Sequence, residues 1–259
     1  MKLIRDKRIR IIVLIMLAVV IVSLLGAHLY YSRLNSKVDP RIRPARTLYE
    51  DYNKMAAAGD FKAVIQLLDS VEQIYSEIPH YLNSFETGVL ANNRAAVYLT
   101  VVLHRDSLLP DQNLMADISD DSLLAIAKKE VNTALLIYKK WKIKYADSDR
   151  SDWRKMIKND FVAGLEDYPE EEQEKFLEKR LDEFEATRTE IDRRLSVAYN
   201  NLGMICRYNG NYDSALVNYT RAMKLWDENL TAENNLNVLL NRPKKKRSLL
   251  RKLFPPPKE

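Results

Sequence analysis

Apolar residues recur through the second half of the chain at alternating spacings of three and four: Leu177, Leu181, Phe184, Ile191, Leu195, Ala198, Leu202 and Ile205, with Arg188 the one interruption. That period puts them on one stripe of an α-helix, so Pro169 to Tyr208 predicts a single very long helix. Glu170, Glu171, Glu172 and Glu174 crowd its first turns, where the helix dipole favours acids. The stripe reads as a face packed on a neighbouring helix, with self-association through it as the other use. Before it, Asp152 to Gly164 predicts a short helix with Trp153, Met156, Ile157 and Phe161 on its buried side. Leu123 to Trp141 and Leu230 to Leu240 predict two more.

A different pattern opens the chain. Ile11 to Tyr31 is 21 residues without a charged side chain and almost wholly apolar. As a helix it is about 32 Å long, enough to cross a bilayer. A cleaved secretory signal usually has a shorter apolar region and an Ala-x-Ala-like site, and Leu25-Gly26-Ala27 is a poor version of one. The expectation is an uncleaved signal anchor, with Tyr30 and Tyr31 at the interface. Five positives (Lys2, Arg5, Lys7, Arg8, Arg10) precede the span and five (Arg33, Lys37, Arg41, Arg43, Arg46) follow it, so charge bias alone does not orient it. The short, dense N-terminal run translocates poorly. That favours residues 1–10 in the cytoplasm and the rest outside, in the periplasm for a bacterial inner membrane. A eukaryotic organelle surface with the domain in the cytosol is the alternative.

The strongest motif lies between Tyr199 and Ala222. Tyr199, Leu202, Gly203 and Cys206 precede a turn at Gly210; Tyr212, Ala215, Tyr219 and Ala222 follow it. By themselves these residues predict helix, tight turn, helix. Gly203 is small where two antiparallel helices meet, Gly210 suits the left-handed residue that ends the first, Tyr212 packs back on it, and Ala215 and Ala222 are small knobs. The spacing resembles the tetratricopeptide repeat, whose signature is aromatic-x2-Leu-Gly-x2-Tyr on one helix and Ala-x3-Phe on the next, with Cys206 replacing an aromatic. Fainter segments share the grammar. Ala58 to Ile65 parallels Asn209 to Leu216 and suggests a first repeat over Ala45 to Glu77, with Leu48, Tyr52 and Met55 on its first helix. Ala91 to Tyr98 parallels Tyr199 to Cys206, with Ala95 in the place of Gly203. Its partner would be Leu123 to Trp141, where Ala127, Val131 and Ala134 keep the small-large-small spacing after an inserted acidic stretch; the plainer reading is two helices and a loop.

The resemblance implies an α-solenoid that binds an extended peptide or a partner's helix in a concave groove lined by first helices. The side chains it places there are Val197, Asn200, Asn201, Met204, Arg207 and Tyr208, with Asn92, Asn234 and Asn235 from the recurring Asn-Asn doublets. A row of carboxamides can donate to and accept from a peptide backbone; it can equally tie helix to helix. Asn200 and Met204 stand where a carboxylate clamp for chaperone tails uses lysine and asparagine, so an acidic chaperone terminus is not the expected ligand.

Charge changes the picture of partners. The whole chain carries +5, but residues 1–46 and 242–259 hold eighteen basic residues against three acids, leaving the middle at −10. An acidic body repels a phosphate backbone, so nucleic acid is not expected. Lys244 to Arg247, followed by Leu249, Leu250, Leu253 and Phe254, reads as a solvated segment or as a contact for anionic lipid. Catalytic and metal-binding signatures are missing. His28, His80 and His104 stand apart, Cys206 is the one cysteine, and no phosphate loop, nucleophile elbow or zinc spacing occurs.

The reading is therefore all-α, a single N-terminal transmembrane helix followed by a TPR-like α-solenoid of antiparallel helix pairs. Its parts are a basic N-tail (1–10), a signal anchor (11–31), a basic linker (32–46), a helical domain (47–241, best repeat 196–229) and a basic proline-containing segment (242–259). It is expected to be a membrane-anchored scaffold that binds partner proteins, without catalysis, cofactor or metal, and with oligomers allowed. The alternative is a permanent structural subunit of a membrane-associated complex, or a self-associating helical protein, with no free peptide ligand.

Overall fold

The computed structural model describes residues 37–107 and 117–246, together with 15–24 and positions 11, 13 and 26. The N-tail 1–10, much of the 11–31 span, residues 32–36, part of the acidic insertion and residues 247–259 lie outside the described residues. Residues 15–24 are helical, and every apolar side chain described there is exposed. Among the described residues no helix is long and apolar enough to cross a membrane.

Among the described residues from 37 on there are nine α-helices: α1 (Arg43–Glu50), α2 (Tyr52–Ala58), α3 (Phe61–Ser76), α4 (Phe85–His104), α5 (Asp120–Tyr145), α6 (Arg150–Val162), α7 (Glu170–Tyr208), α8 (Tyr212–Leu225) and α9 (Leu230–Leu239). Local chemistry sets their ends. Side chains of Asp60, Ser119, Asp149, Asn211 and Asn229 accept backbone N–H bonds at the starts of α3, α5, α6, α8 and α9. Gly59 and Gly210, at φ 74° and 71°, take the left-handed turns that close α2 and α7. Acids in the first turn of α5 and lysines in its last complement the helix dipole.

Packing is pairwise and antiparallel. In the α4/α5 pair, Gly88 meets Tyr138, Arg94 meets Glu130 and Arg105 meets Asp120, a constant antiparallel register. α7 and α8 form the second large pair, α5 packs on α7, and α9 closes on α8. The stripe along α7 is buried inside the molecule from Leu177 to Ile205, with Leu202 partly so, which answers its intramolecular reading. Arg188, the interruption, lies over the Trp153 ring at 5.0 Å.

Four expectations are corrected. The folded body starts before residue 47: Val38, Ile42 and Ala45 are buried, because Arg41 donates to the carbonyls of Phe161 and Ala163 at the end of α6 while Asp39 holds its guanidinium. The first helix of the Ala45–Glu77 unit is broken at Asp51 into α1 and α2. Met156 is 47% exposed, since Trp153, Ile157 and Phe161 fill the buried side of α6. Tyr212 does not pack back on the preceding helix; it is 61% exposed as the first residue of α8, and Tyr219, two turns on, takes the buried place.

Candidate functional site

The α7/α8 hairpin is built around Gly203. A Cβ there would sit 2.6 Å from Tyr219 Cε1, so the helices approach with the edge atoms of an aromatic ring against a position that has no side chain. Ala215, Tyr219 and Ala222 are fully buried along α8. Ser196 Oγ donates to Ala222 O at 2.7 Å and accepts from Asn229 Nδ2 at 2.9 Å, so the residue that caps α9 also ties it to the start of this hairpin. Helix, turn, helix and the next cap are thus one bonded unit.

Residues 196–229 match the tetratricopeptide repeat family. Comparison with curated proteins gave no match, and comparison with solved structures gave none. Within the matched repeat, Cys206 is half-buried and receives Asn218 Nδ2 at 3.8 Å; burial raises its thiol pKa. It packs as a small apolar group.

The residues expected to line a groove separate into two groups. The asparagines other than Asn234 are engaged between helices. Asn93 Nδ2 donates to Tyr49 Oη at 2.6 Å, joining α4 to α1. Asn201 Nδ2 donates to Asn92 Oδ1 at 3.1 Å, joining α7 to α4 with both residues buried. Asn235 Nδ2 donates to Asn200 Oδ1 at 2.8 Å, joining α9 to α7. In each rung the second residue of one doublet donates to a group on the preceding first helix. Asn200 Nδ2 also reaches Met204 Sδ at 3.6 Å. Of the two roles the sequence left open for these amides, the structure shows helix-to-helix bonding at Asn92, Asn200, Asn201 and Asn235. Val197, Met204 and Arg207 are half-buried and Tyr208 is exposed, so they can meet a partner. Asn234 bonds to the backbone of Lys245.

Flanking this row, Tyr199 lies between two cations, Lys139 Nζ at 5.3 Å and the Arg221 guanidinium at 5.1 Å. A charged knot at the other end of α7 was not legible in the sequence. Arg180, 4% exposed, donates to Glu86 Oε1 at 2.5 Å, to Glu183 Oε2 at 2.9 Å and to His80 Nε2 at 3.1 Å. Its guanidinium also lies 4.6 Å from the Tyr81 ring centroid and 5.1 Å from that of Phe184. Because His80 Nε2 accepts from Arg180, its proton sits on Nδ1, which donates to Asp160 at 3.0 Å. Burial and the Arg180 charge together hold the imidazole down at about 4, against the pull of Asp160. Burial would raise the Glu86 carboxyl, but Arg180's charge and hydrogen bonds outweigh it and hold it at about 2. Burial, with the charges of Asp39, Glu183 and Glu86 adding to it and that of Arg180 opposing, puts the Tyr81 phenol well above its ordinary value. The partners come from a 3₁₀ turn (Pro79–Tyr81), α4, α6 and α7, so the knot fastens four segments whose residues are up to 100 positions apart. The only sequence signal was a basic residue in a helical stretch next to an apolar stripe.

A cleft of about 290 Å³ opens beside it, walled by Phe85, Trp141, Tyr145 and Phe184. Arg180, His80 and Asp160 in its lining are engaged with one another or with Glu86, and among the described residues no cluster of acids, histidines and cysteine is arranged to hold a metal. Arg94, 8% exposed, makes a similar clasp with Asp69, Glu72 and Glu130, binding α3, α4 and α5.

Proposed function

We propose that this chain is a non-catalytic scaffold of the tetratricopeptide type, held at a membrane by its N-terminal apolar segment, that docks partner proteins on its first-helix row. The observation that carries the reading is the matched hairpin at 196–229, with its Gly203–Tyr219 contact and its continuation into α9. Val197, Met204, Arg207 and Tyr208 are the accessible side chains of that row, and they offer apolar, sulfur, cationic and phenolic contacts to a peptide or helix. Repeat domains act by presenting a preformed surface, and tethering raises the local concentration of whatever docks.

Supporting the anchor are the 21 uncharged residues from Ile11 to Tyr31 and the exposure of every described apolar side chain in 15–24. Ten helical residues do not cross a bilayer alone, so the anchor needs the flanking residues too. The proposed orientation keeps residues 1–10 in the cytoplasm of a bacterial cell and the helical body in the periplasm, with Lys244 to Arg247 available to anionic lipid.

A permanent subunit is the second reading, favoured by a specific observation: Leu136 and Ile143 on α5 are 54% and 85% exposed, on a helix otherwise well packed. Photocrosslinkers placed at Met204, Arg207 and Leu136 in intact cells separate the two. Discrete adducts from Met204 and Arg207, exchangeable on dilution, support the scaffold; adducts from Leu136 alone that never exchange support the subunit. Labelling of an Asp117→Cys variant in a Cys206→Ala background, in intact cells against inverted vesicles, tests the orientation. Labelling confined to inverted vesicles would place the body in the cytoplasm.

A further inference from the structure

The row of asparagines has an open end. Asn92 and Asn200 are the first members of their doublets, and each uses its side-chain oxygen to accept from the next first helix. Asn234 is the corresponding residue on α9, and among the described residues no further helix follows. Its Oδ1 instead accepts the backbone N–H of Lys245 at 2.7 Å, and its Nδ2 donates to the carbonyl of the same residue at 3.0 Å. Glu233, beside it, forms an ion pair with Lys245 Nζ.

The chain reaches this position by turning back. Asn241 adopts φ 55°, the left-handed conformation asparagine tolerates better than most residues, and Arg242 N–H bonds to Asn237 O at 2.7 Å. Pro243 then bars any continuation of the helix. Residues 242–246 therefore run back along α9 as a strap.

We propose that the Glu233–Asn234 edge of α9 is a binding site for an extended, lysine-bearing peptide segment, and that residues 242–246 occupy it in cis. One residue's N–H and C=O point to the same side only when its backbone is extended, so a single carboxamide that bonds both reads an extended chain whatever its side chains. Glu233 adds the choice of a cation one side chain away. Both amide bonds are exposed and Lys245 is 64% exposed, so no buried core has to open for the strap to leave. A second segment of the same chemistry competes with it. The cis contact is testable on this chain alone, whether or not the row above binds partners.

The test uses the full chain in lipid nanodiscs and a fluorescent peptide with the sequence of Arg242 to Arg247, read by anisotropy. Lys245→Glu sets a carboxylate against Glu233 and frees the site; the variant takes up the peptide about fivefold more tightly than the wild type, the factor one exposed ion pair carries. Asn234→Ala in the Lys245→Glu background loses that gain. Glu233→Lys combined with Lys245→Glu restores the cis ion pair and returns binding to the wild-type level. A peptide methylated on the backbone nitrogen of the lysine that corresponds to Lys245 has the same charge but no N–H to give, and it binds weakly. The proposal is overturned if Lys245→Glu binds the peptide no better than the wild type, or if Asn234→Ala or backbone methylation leaves the gain intact. Lys245 lies beyond α9 and its side chain is 64% exposed, so Lys245→Glu does not threaten the fold, and circular dichroism verifies that for each variant.

Discussion

The two large hairpins solve one packing problem at two scales. In α7/α8, Gly203 faces Tyr219 sixteen positions later; in α4/α5, the antiparallel register sets Ala95 level with Val131, thirty-six positions later. Ala95, Ala127, Val131 and Ala134 are all fully buried, as are Ala215, Tyr219 and Ala222. A larger small residue is thus matched by a smaller large one, so the interhelix space is filled either way. The longer arms add a second close approach, Gly88 against the Tyr138 ring, where a Cβ would stand 2.7 Å from Cε1. The family match covers the compact hairpin, 196–229. The lesson is that a small-against-large contact between antiparallel helices forms whether their connection is short or long, while the spacing that matches the family is confined to the compact hairpin. What differs energetically is the fastening. The α7/α8 hairpin is held by neutral hydroxyl and amide bonds at Ser196 and Asn229; the charged end is Arg180, which ties the start of α7 to α4, and Arg94 clasps α4 to α3 and α5.

The heaviest blow to that comparison falls on the charged end. Arg180→Ala strands Glu86 and Glu183 beside an apolar cleft, and breaking such a buried pair costs about 3–5 kcal/mol, read as a loss of stability in urea melts. A Gly203→Ala chain, if hurt as badly, would show that charge is not what distinguishes the two ends.

Acid separates them next. His80 titrates at about 4 in the fold against 6.5 for the free side chain, so the unfolded chain takes the proton first. Stability is therefore full above about pH 6.5 and falls as pH drops towards 4, by about 2–3 kcal/mol. Glu86, held at about 2 against 4.5, loses its contribution over a lower window, from 4.5 down to 2. Thermal melts from pH 8 to 4 should show the decline, and His80→Gln should flatten it between pH 6.5 and 4 while lowering stability at pH 7. An unchanged slope would mean that another group governs the acid limb.

Gly203→Ala and Gly88→Ala sharpen the shared part of the comparison. Each gains helix propensity but forces a buried tyrosine ring to move, for a net loss of about 1–3 kcal/mol. Similar losses at both sites are expected if the contacts are equivalent; Gly210→Ala meets no atom and costs about 1 kcal/mol through its positive φ alone.

A milder loss than that of the charged knot tests the bridge between the hairpins. Asn92→Ala or Asn201→Ala leaves one buried amide unpaired, about 1–2 kcal/mol each, and the double variant should cost less than the sum. Strict additivity in the cycle would show that the rung carries no coupling.

How legible was this? The long helix over 169–208, the helix partner at Leu123 to Trp141, the short helix after Asp152 and the turn at Gly210 followed from period and turn chemistry, and the structure has them as α7, α5, α6 and the αL residue at φ 71°. Tyr212 misled because a helix's first residue has no preceding turn to fix its direction, and Met156 because period alone cannot tell the edge of an apolar stripe from its centre. The asparagine doublets were visible as a recurrence, but whether each amide met a peptide or another helix depended on which helices became neighbours.

By itself, then, the sequence determined what is local: an uncharged, almost wholly apolar stretch at 11–31, helix ends written in caps and glycines, and one hairpin whose small and large residues alternate at repeat spacing. Tertiary structure decided what is distant. It buried Arg180 among partners from three segments, gave Asn92 to Asn201 across 109 positions, and brought Lys245 back onto Asn234. Hydrophobic period and capping act within a few turns of chain and leave a local trace; an ion pair or amide bond between remote segments leaves none until packing sets the distance.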